Sequence, residues 1–278
     1  MPSSWGIAML EIKKYPCVLT IAGSDSSGGA GIQADIKTIS ATGCYAASVI
    51  TAVTSQNTLG VQAIYPIPAA VVLQQMESVF SDLTMSAIKI GMLFDERIMD
   101  AVVAAIHKFK PNNIVLDPVM ISKNGCELLK ADDVEYLKKN LFSVCTLLTP
   151  NISEAEKLLG DVIQNQAAME LAATVMGEKY KTNILIKGGH LHSEKSSDVL
   201  YSYQDTTCYW YESTRVYTKN THGTGCTLSA AIASYLAQDY VLQDAIVAAK
   251  DYLTKAIQSG RFLKIGLGIG PVDHFYDI

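Results

Sequence analysis

Four short stretches of the chain carry residue types at spacings that can do chemistry. The fullest is Asn220-Thr221-His222-Gly223-Thr224-Gly225-Cys226-Thr227-Leu228-Ser229, small residues running straight into an apolar helical segment. Gly223 and Gly225 leave successive backbone N–H groups uncovered, and the first turn of a helix has no internal partners for its own. Those donors, with the positive end of the helix dipole, make an anion hole. A cysteine placed there, Cys226, is expected to have a depressed thiol pKa. The plain alternative is an ordinary helix cap with a buried cysteine.

A second glycine cluster, Ala22-Gly23-Ser24-Asp25-Ser26-Ser27-Gly28-Gly29-Ala30-Gly31, follows a strand-like run and opens a helix. Gly23 and Gly28 fit the frame of a Walker loop, but Gly28-Gly29-Ala30 stands where Gly-Lys-Ser/Thr is required. Gly29-x-Gly31-x-x-Ala34 fits a dinucleotide fingerprint, yet no Asp or Glu occurs from Gly43 to Leu59, where the ribose-binding acid should lie. Either this is a tight turn that needs glycine for backbone reasons, or it is a ligand loop of another kind. The Ser and Asp among four glycines favour the ligand loop.

Two further stretches end strands. In Pro150-Asn151-Ile152-Ser153-Glu154-Ala155-Glu156, Ser153 and Glu156 fit a capping box. Read for chemistry, Asn151 and Glu154 share an edge with the glycine loops, where a carboxylate holds Mg²⁺ through water beside phosphates. Asp117 ends another strand on that edge, unless it only starts the turn at Pro118. In Lys187-Gly188-Gly189-His190, Lys187 either reaches a phosphate oxygen as a point charge or is a solvated lysine before a turn. The five histidines (107, 190, 192, 222, 274) show no metal-ligand spacing.

The elements that must position these groups alternate along the chain. Strands are expected at Cys17–Ala22, Ala46–Val53, Ala87–Ile90, Asn113–Leu116, Thr146–Leu148 and Asn183–Ile186. Helices are expected at Gly31–Ser40, Ala69–Phe80, Glu96–Phe109, Asp132–Leu141, Glu154–Leu159 and Ala167–Lys179. The rhythm then changes to a hairpin, Asp198–Tyr203 and Thr207–Tyr211, rich in tyrosine and carrying Trp210. It either forms an interface, covers the site or completes the sheet. Helices Gly223–Leu236 and Leu242–Ser259 close the chain. Repeated β-then-α units imply a mostly parallel sheet covered on both faces, with ligands at the carboxyl ends of its strands.

Composition excludes several classes. With 278 residues, 49% hydrophobic and 18% charged, the chain is globular rather than disordered. A net charge of −5 leaves no excess of Lys and Arg for a nucleic-acid-binding face. The six cysteines (17, 44, 126, 145, 208, 226) include no C-x-x-C pair, which excludes a zinc ribbon or thioredoxin-type motif and fits reduced thiols. There is no apolar run of about 20 residues to span a membrane and no signal-peptide pattern, so a cytoplasmic protein is expected. Residues 1–15 read as a flexible extension and 16–278 as one domain.

Taken in order, TIAGSDSSGGAGIQADIKT, SVITAVTSQNT, SVFSDL, IKIGML, IVLDPVM, LLTPNISEAE, IKGGHL, TKNTHGTGCTLSAAIA and GIGPV make the chain, from about Leu19 to about Phe275, resemble the hydroxymethylpyrimidine/phosphomethylpyrimidine kinases of thiamine biosynthesis. These lie within the ribokinase-like superfamily. The resemblance implies a three-layer α/β/α sandwich with a mostly parallel central sheet. It also implies ATP and Mg²⁺, a homodimer, and phosphorylation of 4-amino-5-hydroxymethyl-2-methylpyrimidine and then of its monophosphate. By the same resemblance Gln56 reads the pyrimidine, as an amide's paired donor and acceptor can, and Asp35, Gly23, Met92 and Val119 surround it. Lys187 contacts phosphate; Asp117, Asn151 and Glu154 form the metal site; Gly223, Thr224 and Gly225 cradle the moving phosphoryl group; and Cys226 stands where many sugar kinases of the superfamily have an aspartate base. Lys123-Asn124-Gly125-Cys126 departs from the Ser-Gly-Asp that relatives often carry. A pyridoxal or pyridoxine kinase of the same fold and a non-catalytic vitamin-precursor binding protein are the alternatives.

Overall fold

A computed structural model describes residues 15–120, 125, 128–189 and 194–277. The expected N-terminal extension apart from Tyr15, the departing loop apart from Gly125, and His190 and His192 lie outside them.

The chain alternates β1 (Cys17–Asp25), α1 (Gly31–Ala41), β2 (Tyr45–Asn57), β3 (Gly60–Pro66), α2 (Ala69–Asp82), β4 (Ala87–Ile90), α3 (Glu96–Phe109), β5 (Ile114–Leu116), α4 (Ala131–Asn140), β6 (Leu147–Leu148), α5 (Ile152–Leu159), α6 (Gln166–Tyr180), β7 (Asn183–Ile186), β8 (Lys195–Ser202), β9 (Thr207–Thr214), α7 (Thr224–Ala237) and α8 (Leu242–Gly260). Among the described residues nine strands join one sheet in the order β3-β2-β1-β4-β5-β6-β7-β8-β9. Strands β2, β1, β4, β5, β6 and β7 run parallel, while β3 and β8 pair antiparallel to their inner neighbours.

Strand alternation sorts side chains into two cores. Ile88, Ile90, Leu116 and Ile186 pack with α2, α3, α5 and α6 on one face. Ala87, Val115, Leu185 and Leu200 pack with α1, α7 and α8 on the other. The molecule is therefore the expected α/β/α sandwich. In β4 the period-2 pattern puts Lys89 on the same face as Ala87, towards α1 and α7, with 0% exposure.

One element was not expected from the sequence, and one open alternative is decided. The segment Gly60–Pro66 forms β3, an edge strand paired to β2, although its burial pattern shows no fully buried position and so no apolar alternation to read. The hairpin of β8 and β9 completes the sheet. Val199 and Tyr201 face one core and Leu200 the other, and Trp210 donates through Nε1 to Glu170 at 2.8 Å.

Candidate active site

The carboxyl ends of β1, β4, β5, β6 and β7 open into one cavity of about 640 Å³. It is lined by Gly23, Gln56, Met92, Asp117, Val119, Asn151, Glu154, Lys187, Gly223, Thr224, Gly225 and Cys226, twelve of the thirteen residues singled out from the sequence. The thirteenth, Asp35, is 0% exposed and does not line the cavity.

At one end, β1 finishes in Asp25, whose carboxylate organises the glycine loop after it. Oδ1 accepts from the Ser27 N–H (2.8 Å) and Ser27 Oγ (2.7 Å). Oδ2 accepts from the N–H groups of Gly29 (3.1 Å) and Ala30 (2.8 Å) and lies 2.8 Å from His222 Nε2. Burial works to raise this carboxyl, but the bonds from His222 and Ser27 outweigh it and hold it at about 2. Gln56, at the end of β2, reaches the same spot, its Nε2 3.3 Å from His222 Nε2.

The Asn220–Ser229 stretch arrives beside this loop. Gly223 has φ +81°, a conformation that favours glycine, and an added Cβ would overlap the Gly29 carbonyl oxygen. The two glycine clusters thus touch backbone to backbone. Thr227 N–H closes the first turn of α7 on the Gly223 carbonyl (2.8 Å), and Thr224 N–H turns back weakly on Thr221 (3.4 Å). Among the described residues no acceptor meets the N–H groups of Gly225 and Cys226. The expected donor row is therefore narrower than the sequence suggested, because Thr224 is partly engaged.

Charged groups crowd the other side of this turn. Lys187 donates to Asp117 Oδ1 at 2.6 Å, so it is no solvated turn lysine, and Asp117 is 2% exposed. Asp117 and Lys187 close on Gly225, whose added Cβ would stand 3.3 and 3.4 Å from them. Asn151 caps α5, and the capping box is formed by Asn151 and Glu154, not by Ser153 and Glu156: Glu154 N–H donates to Asn151 Oδ1 (2.9 Å) and Asn151 N–H to Glu154 Oε2 (2.7 Å). The frame is set two residues earlier because Asn151 pairs with Lys187 as the chain leaves β6, and Glu156 instead accepts from the Ile163 N–H. Burial raises Glu154 to about 7 against the pull of Lys187, with Asp117 adding to the rise.

Sequence reasoning missed Lys89. It donates to Asp35 Oδ2 at 2.8 Å, and Thr20 Oγ1 donates to the same oxygen at 2.5 Å. Burial raises the Asp35 carboxyl against the pull of Lys89 and Thr20, and on Lys89 burial is outweighed by Asp35 foremost, which holds the lysine above its ordinary range. Asp35 Oδ1 has no partner. The one available signal was a lysine inside the apolar strand Ala87–Ile90. Asp25 and His222 were also missed as a pair, since nothing local joins positions 197 apart.

Cys226 departs from the expectation of a depressed pKa. Burial raises it to about 11; Lys89 pulls it down, but Asp35 and Asp117 push the same way as burial. The helix N-terminus is outweighed by two carboxylates and lost water.

The donor set suits a hard cation only in part. Asp117, Glu154 and the Asn151 amide are oxygen ligands, but among the described residues no three His, Cys, Asp or Glu groups gather as a cage. This fits Mg²⁺ held through water and carried with phosphates.

A parallel sheet with open amides, a buried lysine and paired carboxylates at its strand ends defines a phosphotransferase acting on a small molecule. The comparisons give the particular family: residues 25–273 match the model for phosphomethylpyrimidine kinase, and the chain belongs to that family. It is 44% identical to a hydroxymethylpyrimidine/phosphomethylpyrimidine kinase of Rhizobium meliloti, over 93% of this chain and 96% of the relative. It is likewise 44% identical to a thiamine biosynthesis bifunctional protein of Geobacter sulfurreducens, over 96% of this chain but only 55% of that protein, so the chain spans about half of that relative. Among solved structures, phosphomethylpyrimidine kinase from Clostridium difficile matches with a TM-score of 0.77 at 43% identity, covering 87% of this chain and 99% of the other. Pyridoxal kinase from Staphylococcus aureus in complex with ADP matches with a TM-score of 0.87 at 35% identity, covering 95% of each chain.

Proposed function

We propose that the protein transfers the γ-phosphoryl group of ATP to the hydroxymethyl oxygen of 4-amino-5-hydroxymethyl-2-methylpyrimidine, and then to the resulting monophosphate, as one domain working as a cytoplasmic homodimer. The observation that carries this reading is the meeting, in one cavity, of an amide reader (Gln56) with open backbone donors (Gly225, Cys226) and a half-buried cation (Lys187). No helix among the described residues is long and apolar enough to cross a membrane.

In this reading Gln56 orients the aminopyrimidine ring against Gly23, Met92 and Val119. Lys187 and the turn Gly223–Cys226 hold the transferring phosphoryl group, whose loose transition state asks for position and charge more than for a strong base. The O–P bond to ADP breaks as the alcohol oxygen bonds phosphorus, and the alcohol proton passes late to Cys226, which accepts it in its minority thiolate form because burial holds the thiol up at about 11. Lys89 is the charge that favours that thiolate, against the burial that resists it. Asp117, Asn151 and Glu154 would hold Mg²⁺, which supplies neutralisation of phosphate charge. Asp35 acts from below by holding Lys89 in place.

Pyridoxal kinase is the second reading, supported by the structural match to the Staphylococcus aureus enzyme but at lower identity than the pyrimidine kinases. An ADP-release assay run in parallel with the pyrimidine alcohol, its monophosphate and pyridoxal tests the proposal. ADP with both pyrimidines, at higher kcat/KM than with pyridoxal, is expected. ADP with pyridoxal alone would overturn the substrate, and ligand binding without ADP would leave a binding protein.

A further inference from the structure

Hydrogen counting around Gln56 leads beyond its assignment as a reader. Its amide has two neighbours in the cavity wall. Oε1 stands 3.1 Å from Thr54 Oγ1, and Nε2 stands 3.3 Å from His222 Nε2. A threonine hydroxyl has one hydrogen, and Thr54 Oγ1 is also 2.9 Å from the Ser24 carbonyl oxygen, which can only accept. That hydrogen is therefore spent on Ser24, and Thr54 can offer Gln56 only a lone pair. His222 Nε2 is 2.8 Å from Asp25 Oδ2. Asp25 already accepts four hydrogens, from Ser27 N–H, Ser27 Oγ, Gly29 N–H and Ala30 N–H, so it is a carboxylate and Nε2 must carry the proton. An N–H group on His222 cannot accept from a second N–H group on Gln56.

Both conflicts vanish together if the amide is turned over. Its nitrogen then donates to Thr54 Oγ1, and its oxygen shares the His222 Nε2–H with Asp25. The orientation is set by two groups with one available role each: Thr54 as acceptor and His222 as donor.

We infer that His222, held by Asp25, is a positioning residue that with Thr54 locks the Gln56 amide in one orientation and thereby decides which donor–acceptor order of a heterocycle the cavity accepts. An amide presents an N–H and a carbonyl side by side, and turning it over exchanges them. A 4-aminopyrimidine edge offers a donor beside a ring-nitrogen acceptor; the 4-oxo ring, with its N3–H and carbonyl, offers the reverse. A locked amide accepts one order and leaves buried groups unpaired against the other, the situation in which polar sites discriminate strongly. This rests on the reading of Gln56 as the pyrimidine contact.

The test compares kcat/KM for the 4-amino alcohol with that for its 4-oxo analogue in the wild-type protein, His222→Phe, Thr54→Val and Gln56→Ala. The wild type should prefer the amino ring by about a hundredfold or more. His222→Phe and Thr54→Val, which each free one side of the amide, should each reduce that ratio about tenfold. General damage to the turn lowers both rings alike and leaves the ratio standing, and Thr54→Val carries the test if His222→Phe does not fold. A ratio that stays within threefold of wild type in the folded variants overturns the inference, as does a wild type indifferent to the two rings. Undiminished discrimination in Gln56→Ala shows instead that Gln56 is not the reader, and a wild type that phosphorylates neither ring removes the proposed function itself.

Discussion

The two ends of the cavity are built on opposite plans. Around Asp25, polar groups are paired with one another: one carboxylate collects Ser27, Gly29, Ala30 and His222, and Gln33 bridges Asp25 N–H and Ser24 Oγ. Around Cys226 the protein leaves groups short of partners. The amides of Gly225 and Cys226 have no acceptor among the described residues, Asp35 Oδ1 has no donor, and burial lifts Glu154 to about 7 and Cys226 to about 11. The difference teaches which end is a template and which is incomplete alone. A reader must be rigid before its ligand arrives, whereas a site for a migrating charge keeps its donors unspent until that charge appears.

The largest expected effect comes from breaking the joint between the ends. Gly223→Ala adds a Cβ at φ +81° where it overlaps the Gly29 carbonyl oxygen. Steady-state kinetics should show kcat/KM lowered by about a thousandfold or more, equivalent to ~4 kcal/mol; a loss under tenfold would mean that the loops do not depend on that contact. Removing one partner from the unspent end comes next. Lys89→Met leaves Asp35 buried and unpaired, and urea unfolding should report a loss of about 3–5 kcal/mol, most of it regained when Asp35→Leu is added.

A pH titration of stability sharpens the comparison with a group outside both ends. His274, 4% exposed and 3.1 Å from Thr227 Oγ1, is lowered from 6.5 to about 4, first by burial and then by Lys37. The unfolded chain takes up that proton first, so this contribution is complete above pH 6.5 and disappears as pH falls through 4. The loss is about 3 kcal/mol, and His274→Gln should flatten that part of the curve. The smallest effect is expected far from the cavity: Asn165→Ala removes the side-chain cap of α6, whose Oδ1 accepts from Ala168 N–H at 2.9 Å, and should cost about 1 kcal/mol in thermal unfolding with kcat unaltered.

What could be read from the chain was whatever is local and periodic. The limits of β4, α3 and β7 coincide with the expected ones because a short, mostly apolar run or helical spacing marks each. The glycine clusters, Lys187, Asn151 and Glu154 were legible as strand-end residues on one edge, and the sheet does gather them. Three things were not legible. Lys89 passed unread inside the strand Ala87–Ile90 because its partner Asp35 is 54 positions away. The capping frame at Asn151 was two residues from the one expected, since both pairs have the same spacing and only the pairing of Asn151 with Lys187 chooses between them. The sign of the Cys226 shift is set first by burial, with Asp35 and Asp117 adding to it, and no motif around Cys226 shows any of these.

The role of sulfur at the unspent end is tested most directly by kcat for Cys226→Ala with the pyrimidine alcohol, measured beside calorimetric affinity for the same ligand. Turnover lower by about a thousandfold, with pyrimidine affinity close to wild type, is the predicted result. Wild-type turnover in that variant would contradict it.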